Sequence, residues 1–195
     1  MMEEQVIKDA LRYLGGKADD EGAIALLRRV LDAYREVFQP RQVTASFLVR
    51  EHAPAVTFEG CAVSLEGESI RRHFAGATEG IFSAFTLGVA FDKKVRELSL
   101  TRPSESVALN ALGSGYAERK ADELLREVRD AKEREGFETN FRFCPGYGDL
   151  PLGANKEIVA ALGATKKIGL TVTDEGLLLP VKSIVGVTAC KPIKR

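Results

Sequence analysis

From Pro103 to Glu135 the chain reads as one long helical stretch, and no other element restricts its fold as strongly. Proline suits a first helical turn, where its missing N–H costs nothing. From Ala117 onward, Ala117, Ala121, Leu124, Leu125 and Val128 make a single narrow apolar face while the other faces are charged, and Gly136 closes the stretch. A helix of that kind must lay its stripe on another layer and leave its remaining surface in water. Gly113 and Gly115 interrupt the pattern, which predicts either a kink or a close approach by another backbone.

Around this helix the periodicities alternate irregularly. Val6, Ile7, Ala10, Leu11 and Leu14 predict a first helix ended by Gly15-Gly16, and Asp19 or Asp20 caps a second that runs toward Pro40. Gln42–Arg50 and Ala55–Leu65 predict a hairpin turning at Glu59-Gly60, and Glu68–Ala75 a short helix. Ile81–Val89 is apolar without a charge, and periodicity alone leaves it open between buried strand and helix start. Phe91–Leu100 reads as helix, Thr139–Phe143 as strand, Asn155–Leu162 as a short helix. Gly169–Thr173 and Leu177–Pro180 form a hairpin about Asp174-Glu175-Gly176, and Ser183–Cys190 is a final strand. Helices mixed with antiparallel hairpins, without βαβ alternation, predict an α+β fold: a mixed or antiparallel sheet with covering helices. Composition shifts from strand-rich to helix-rich near Ala90, so residues 1–90 are expected to form an amino-terminal lobe beside a region spanning 91–195.

Twenty-eight basic residues balance 28 acidic ones, which argues against a nucleic-acid surface, since non-specific affinity for phosphate backbone rests on excess Lys and Arg. No apolar run reaches membrane-spanning length, and Glu3, Glu4, Asp9, Asp19 and Asp20 do not suit a secretory signal, so no membrane association and a cytoplasmic location are expected. Cys61, Cys144 and Cys190 are odd in number and widely spaced, and His52 and His73 are the only histidines. Neither a disulfide framework nor a metal motif is available, so no metal site is expected.

Arg142-Phe143-Cys144-Pro145-Gly146-Tyr147 is the segment in which chemistry concentrates. It sets a permanent cation at a strand end, then a rigid proline, a glycine that admits a ligand to the main chain, and an aromatic face. Such a loop suits a small ligand with a carboxylate and a flat ring; the alternative is a strand end whose Arg makes a surface salt bridge and whose Pro-Gly merely turns the chain.

Arg142 to Tyr147, then Pro151, Lys156, Gly169, Thr173, Pro180, Ser183 and Gly186 at nearly matching intervals, resemble the S-adenosylmethionine-binding activation domain of cobalamin-dependent methionine synthase. The resemblance covers about Ala117 to Ala189; Tyr13-Leu14-Gly15 and Thr86-Leu87-Gly88 resemble free-standing small proteins of the same superfamily. It implies that Arg142, Gly146 and Tyr147, with Cys144 in the same loop and Ser183 and Gly186 in the closing pattern, bind S-adenosylmethionine. It further implies that Glu118 and Asp122 lie near the methyl-transfer site. Their i, i+4 spacing puts both carboxylates on one helical face, there to attract ammonium and sulfonium charge, to order water, or simply to pair with Arg126 or Arg119. Gly153 stands where the family often has His, and Val187, Thr188 and Ala189 where large aromatics follow the final Gly.

The resemblance implies support of reductive methylation, the reactivation half-reaction in methionine biosynthesis. The methyl donor is S-adenosylmethionine, cobalamin is carried in trans by methionine synthase or another corrinoid protein, and flavodoxin or ferredoxin is the indirect electron donor. No catalytic acid or base is expected. The alternative is a non-catalytic accessory protein of a corrinoid methyltransferase system that has lost the ligand. Gly113-Ser114-Gly115 lacks the preceding strand of a Rossmann glycine loop, and Cys144 as a nucleophile lacks a His partner.

Overall fold

The structure, a computed structural model, describes residues 2–17 and 19–193. Helices α1 (Met2–Tyr13) and α2 (Glu21–Ala33) come first, and Asp20 caps α2 by accepting the Ala23 N–H. A short 3₁₀ turn, Arg35–Val37, leads into β1 (Arg41–Glu51), β2 (Val56–Phe58) and β3 (Ser64–Leu65). Next are α3 (Glu68–Phe74), β4 (Glu79–Thr86), α4 (Val89–Thr101), α5 (Pro103–Arg134) and β5 (Phe137–Thr139). The chain ends with α6 (Ala154–Leu162), α7 (Ala164–Ile168), β6 (Thr171–Val172), β7 (Leu178–Leu179) and β8 (Ser183–Pro192).

Six strands form one antiparallel sheet in the order β3-β2-β1-β4-β8-β5, and β6-β7 make a separate two-stranded ribbon. The fold is therefore α+β, as the mixed periodicities imply. The larger sheet takes β1–β4 from before residue 90 and β5 and β8 from after it. A core lies on each face. Phe82 and Ala84 of β4 and Val185, Val187 and Ala189 of β8 pack with α6 and α7, whereas Phe85 packs with α1, α2, α4 and α5. This double covering settles Ile81–Val89: most of it is β4, a central strand buried on both sides, which shows no alternation because neither face meets water.

The two glycines of α5 do not break it; the helix continues through them for 32 residues. A Cβ at Gly113 would sit 2.2 Å from the Phe91 ring, and one at Gly115 3.0 Å from the Val6 carbonyl oxygen of α1. Close approach, not a kink, is what they provide. Beneath that crossing, buried Asp9 bonds the guanidiniums of Arg12 and Arg119, the second at 2.5 Å. Burial alone would raise the Asp9 carboxyl, but the two guanidiniums more than offset it and hold it below the usual carboxylate range. Arg119 thus pairs with α1 rather than with Asp122.

The strand expected at Thr139–Phe143 is shorter and earlier. β5 covers 137–139 and pairs with β8, and Phe143 rejoins β8 through an isolated bridge to Val187. Between Thr139↔Cys190 and Phe143↔Val187 the chain holds one residue more than its partner strand. That is a bulge, which ends regular pairing just before Arg142.

Candidate functional site

Beyond the bulge, the chain borders a groove of about 460 Å³. Glu118 of α5, Arg142, Cys144, Pro145 and Tyr147, and Ser183 of β8 line it. Leu152, Asn155 and parts of the turn and ribbon between Thr173 and Leu179 complete the lining.

Arg142 lies against the sheet at the groove. A Cβ on Gly186 would come within 2.6 Å of Arg142 Cγ and 3.0 Å of the Phe143 carbonyl oxygen, so only glycine leaves the arginine stem its path over β8. The Arg142 side chain is 11% exposed, with its Nη2 3.5 Å from Asp122 Oδ1. Its Nε and Nη1 are buried and have no hydrogen-bond partner among the described residues. A guanidinium held this way retains a permanent charge and N–H donors for an anion.

The loop itself is closed by its own backbone. The Tyr147 N–H donates to the Cys144 carbonyl, the Gly146 N–H to that of Leu150, and the Leu150 N–H to that of Tyr147. Gly146 takes a φ of +93°, open chiefly to glycine. Its N–H is engaged with Leu150, and it does not line the groove. The Tyr147 ring is 52% exposed at the mouth. Burial pushes the Cys144 thiol up against the pull of the Arg142 charge, which keeps it neutral, and the Tyr147 phenol is raised by Cys144 and by its own partial burial.

Of the residues singled out from sequence, Glu118, Arg142, Cys144, Tyr147 and Ser183 line the groove together. Asp122 reaches it through Arg142, and Gly186 lies beneath the Arg142 stem. The Ser183 hydroxyl is engaged with Thr86 Oγ1 at 2.8 Å and the Pro180 carbonyl at 2.6 Å. Lys156 pairs with Asp174 across 3.4 Å. Val187, Thr188 and Ala189 are buried in β8, so none offers a ring to the groove.

Asn155 was visible in sequence only as the start of a helix. It is 5% exposed and lines the groove, with its Nδ2 donating to the Gly176 carbonyl at 2.9 Å and its Oδ1 buried without a partner among the described residues. The apolar wall made by Leu152, Leu177 and Val181 was likewise unforeseen, because its parts meet only through the packing of the β6-β7 ribbon on α6.

A search of the solved structures finds the crystal structure of the MetH reactivation domain bound to AdoHcy at a TM-score of 0.69. The two share a fold. The match covers 94% of this chain and 70% of that one at 17% sequence identity. No family model matches the sequence, and no curated protein is significantly similar to it. Among the described residues no helix is long and apolar enough to cross a membrane, and no group of three or more His, Cys, Asp or Glu side chains is placed to hold a metal ion.

Proposed function

We propose that the groove binds S-adenosylmethionine and presents its methyl group to a corrinoid carried by a separate protein, supporting reductive methylation of a cobalamin-dependent methionine synthase or a relative. The observation that carries this reading is Arg142, buried at the groove with two guanidinium nitrogens that have no hydrogen-bond partner among the described residues.

The residues present fit the ligand. Arg142 offers a permanent cation with unpaired N–H donors for the amino-acid carboxylate, and Glu118 and Asp122 supply negative charge beside it for an ammonium and a sulfonium. Leu152, Leu177 and Val181 offer an apolar wall, and the half-exposed Tyr147 a ring face. When bound, S-adenosylmethionine supplies a methyl already activated by its sulfonium, so the chain needs no general acid or base. Its own contribution is to hold the tail, fix the orientation and keep water from one side of the ligand. It is the methyl-positioning component of a reaction completed in trans, with flavodoxin or ferredoxin as indirect electron source and the cytoplasm as its place.

The test is isothermal titration with S-adenosylmethionine and with AdoHcy. Saturable binding that Arg142→Ala weakens at least tenfold, with secondary structure unchanged by circular dichroism, supports the proposal. A flat titration of the wild-type chain overturns it in favour of a ligand-free accessory protein.

A further inference from the structure

On the other side of the Leu179-Pro180 segment lies a second cleft, of about 400 Å³, which the methyl-donor reading does not use. Val89, Asp92, Lys93 and Arg96 of α4 face Gly169, Thr171, Leu179 and Pro180 across it. Arg41, at the start of β1, brings Nη1 to 4.0 Å from where a Cβ on Gly169 would stand. Two cations of α4 therefore line the opening, and a third, from β1, approaches its Gly169 wall.

Asp92 itself lines the cleft and offsets one of these charges. Asp92 Oδ2 accepts the Val181 backbone N–H at 2.7 Å, and Glu97, on the next turn of α4, pairs with Lys94 at 2.8 Å. Neither Arg41, Lys93 nor Arg96 makes an ion pair or a side-chain hydrogen bond among the described residues. Clustering like charges raises the energy of the folded chain, and a bound polyvalent anion relieves that repulsion. Beside the cations, Val89 and Leu179 are exposed, 59% and 44%, and form an apolar margin to the same cleft.

We infer that this cleft binds a phosphate ester: a tetrahedral, doubly charged head among Arg41, Lys93 and Arg96, with an organic part on Val89 and Leu179. Arginine and lysine together suit phosphate, the first as a fork and the second as a point charge. An extended polyanion such as RNA is disfavoured, because the whole chain carries no net charge beyond this small cluster. Leu179 contributes to both openings, so the ester lies on the side of this residue away from Arg142.

The experiment is calorimetric titration of the full chain with phenyl phosphate at low ionic strength, alongside inorganic phosphate and phenol. The expected result is one saturable site for phenyl phosphate, weaker binding of inorganic phosphate and none of phenol. The double variant Lys93→Ala/Arg96→Ala should bind about tenfold more weakly, as expected for losing charge-assisted contacts. Both positions are exposed and alanine favours helix, so α4 should persist, as circular dichroism can check. Arg41→Ala, on a different element, should weaken binding too, and Arg142→Ala should leave it unchanged. Non-saturating heats, undiminished affinity in the double variant, or loss on Arg142→Ala instead would overturn the inference. Because the Arg142 variant reports on the first groove separately, failure of one site is distinguishable from failure of the other.

Discussion

Two buried charge centres sit at different depths of commitment. Under the α1–α5 crossing, Asp9 is gripped by Arg12 and Arg119, and its charge is matched within the chain. At the groove, Arg142 has only a 3.5 Å approach to Asp122, and two of its nitrogens are unmatched. The first arrangement closes on itself and holds helices together. The second leaves hydrogen-bonding capacity unused, which folding alone does not reward. The contrast separates a structural ion pair from a candidate binding group by what each leaves unsatisfied, where burial alone would class them together.

Breaking the closed centre should have the largest effect. Asp9→Ala strands the Arg119 guanidinium, and thermal or urea unfolding should show a loss of about 2–3 kcal/mol, with ligand affinity of the folded fraction preserved. Arg142→Ala should do the reverse, costing about 2 kcal/mol of S-adenosylmethionine affinity and little stability. Should Arg142→Ala unfold the chain, or Asp9→Ala abolish binding, the contrast is false.

His73 sharpens the comparison, because it too is buried with a nitrogen, Nε2, that has no partner among the described residues, yet packs among Phe74, Phe141 and Phe143 away from the groove. Burial first, and the charge of Lys191 second, lower its pKa to about 4 from an ordinary 6.5. The unfolded chain therefore binds a proton more readily. The associated stability is fully present above about pH 6.5 and is lost as pH falls toward 4. The melting temperature should drop by a few degrees over that range, and His73→Leu should flatten the drop without altering ligand affinity. The smallest effect is expected at Glu118, which is exposed at the groove. Glu118→Gln should weaken S-adenosylmethionine a few-fold and AdoHcy less, since only the former carries a sulfonium charge.

Much of this was readable from residue order. The stripe from Ala117 to Val128 gave α5, the capping Asp20 gave α2, and Asp174-Glu175-Gly176 gave the ribbon turn. What escaped was what depends on distant neighbours. β4 is covered on both faces and so lacks the alternation that marks a half-buried strand. α7 is only five residues between two left-handed glycines, too short for a helical period to register. At the site, the arginine and its loop stood out by residue type, but Asn155 did not, because an asparagine opening a helix has an ordinary local explanation. The Asp9–Arg119 pair joins positions 110 residues apart and left no local signature.

The position of β8 carries a further consequence. Residues 183–192 lie inside the larger sheet, one place from its edge, with β4 on one flank and β5 on the other, yet follow every other described strand in the chain. Until they arrive, β4 has a bare edge, Arg142 has no floor to lie on, and the apolar faces meant for both helical layers are half assembled. A nascent or truncated polypeptide lacking this strand would thus present an unpaired backbone edge and uncovered apolar faces to its neighbours and be prone to self-association.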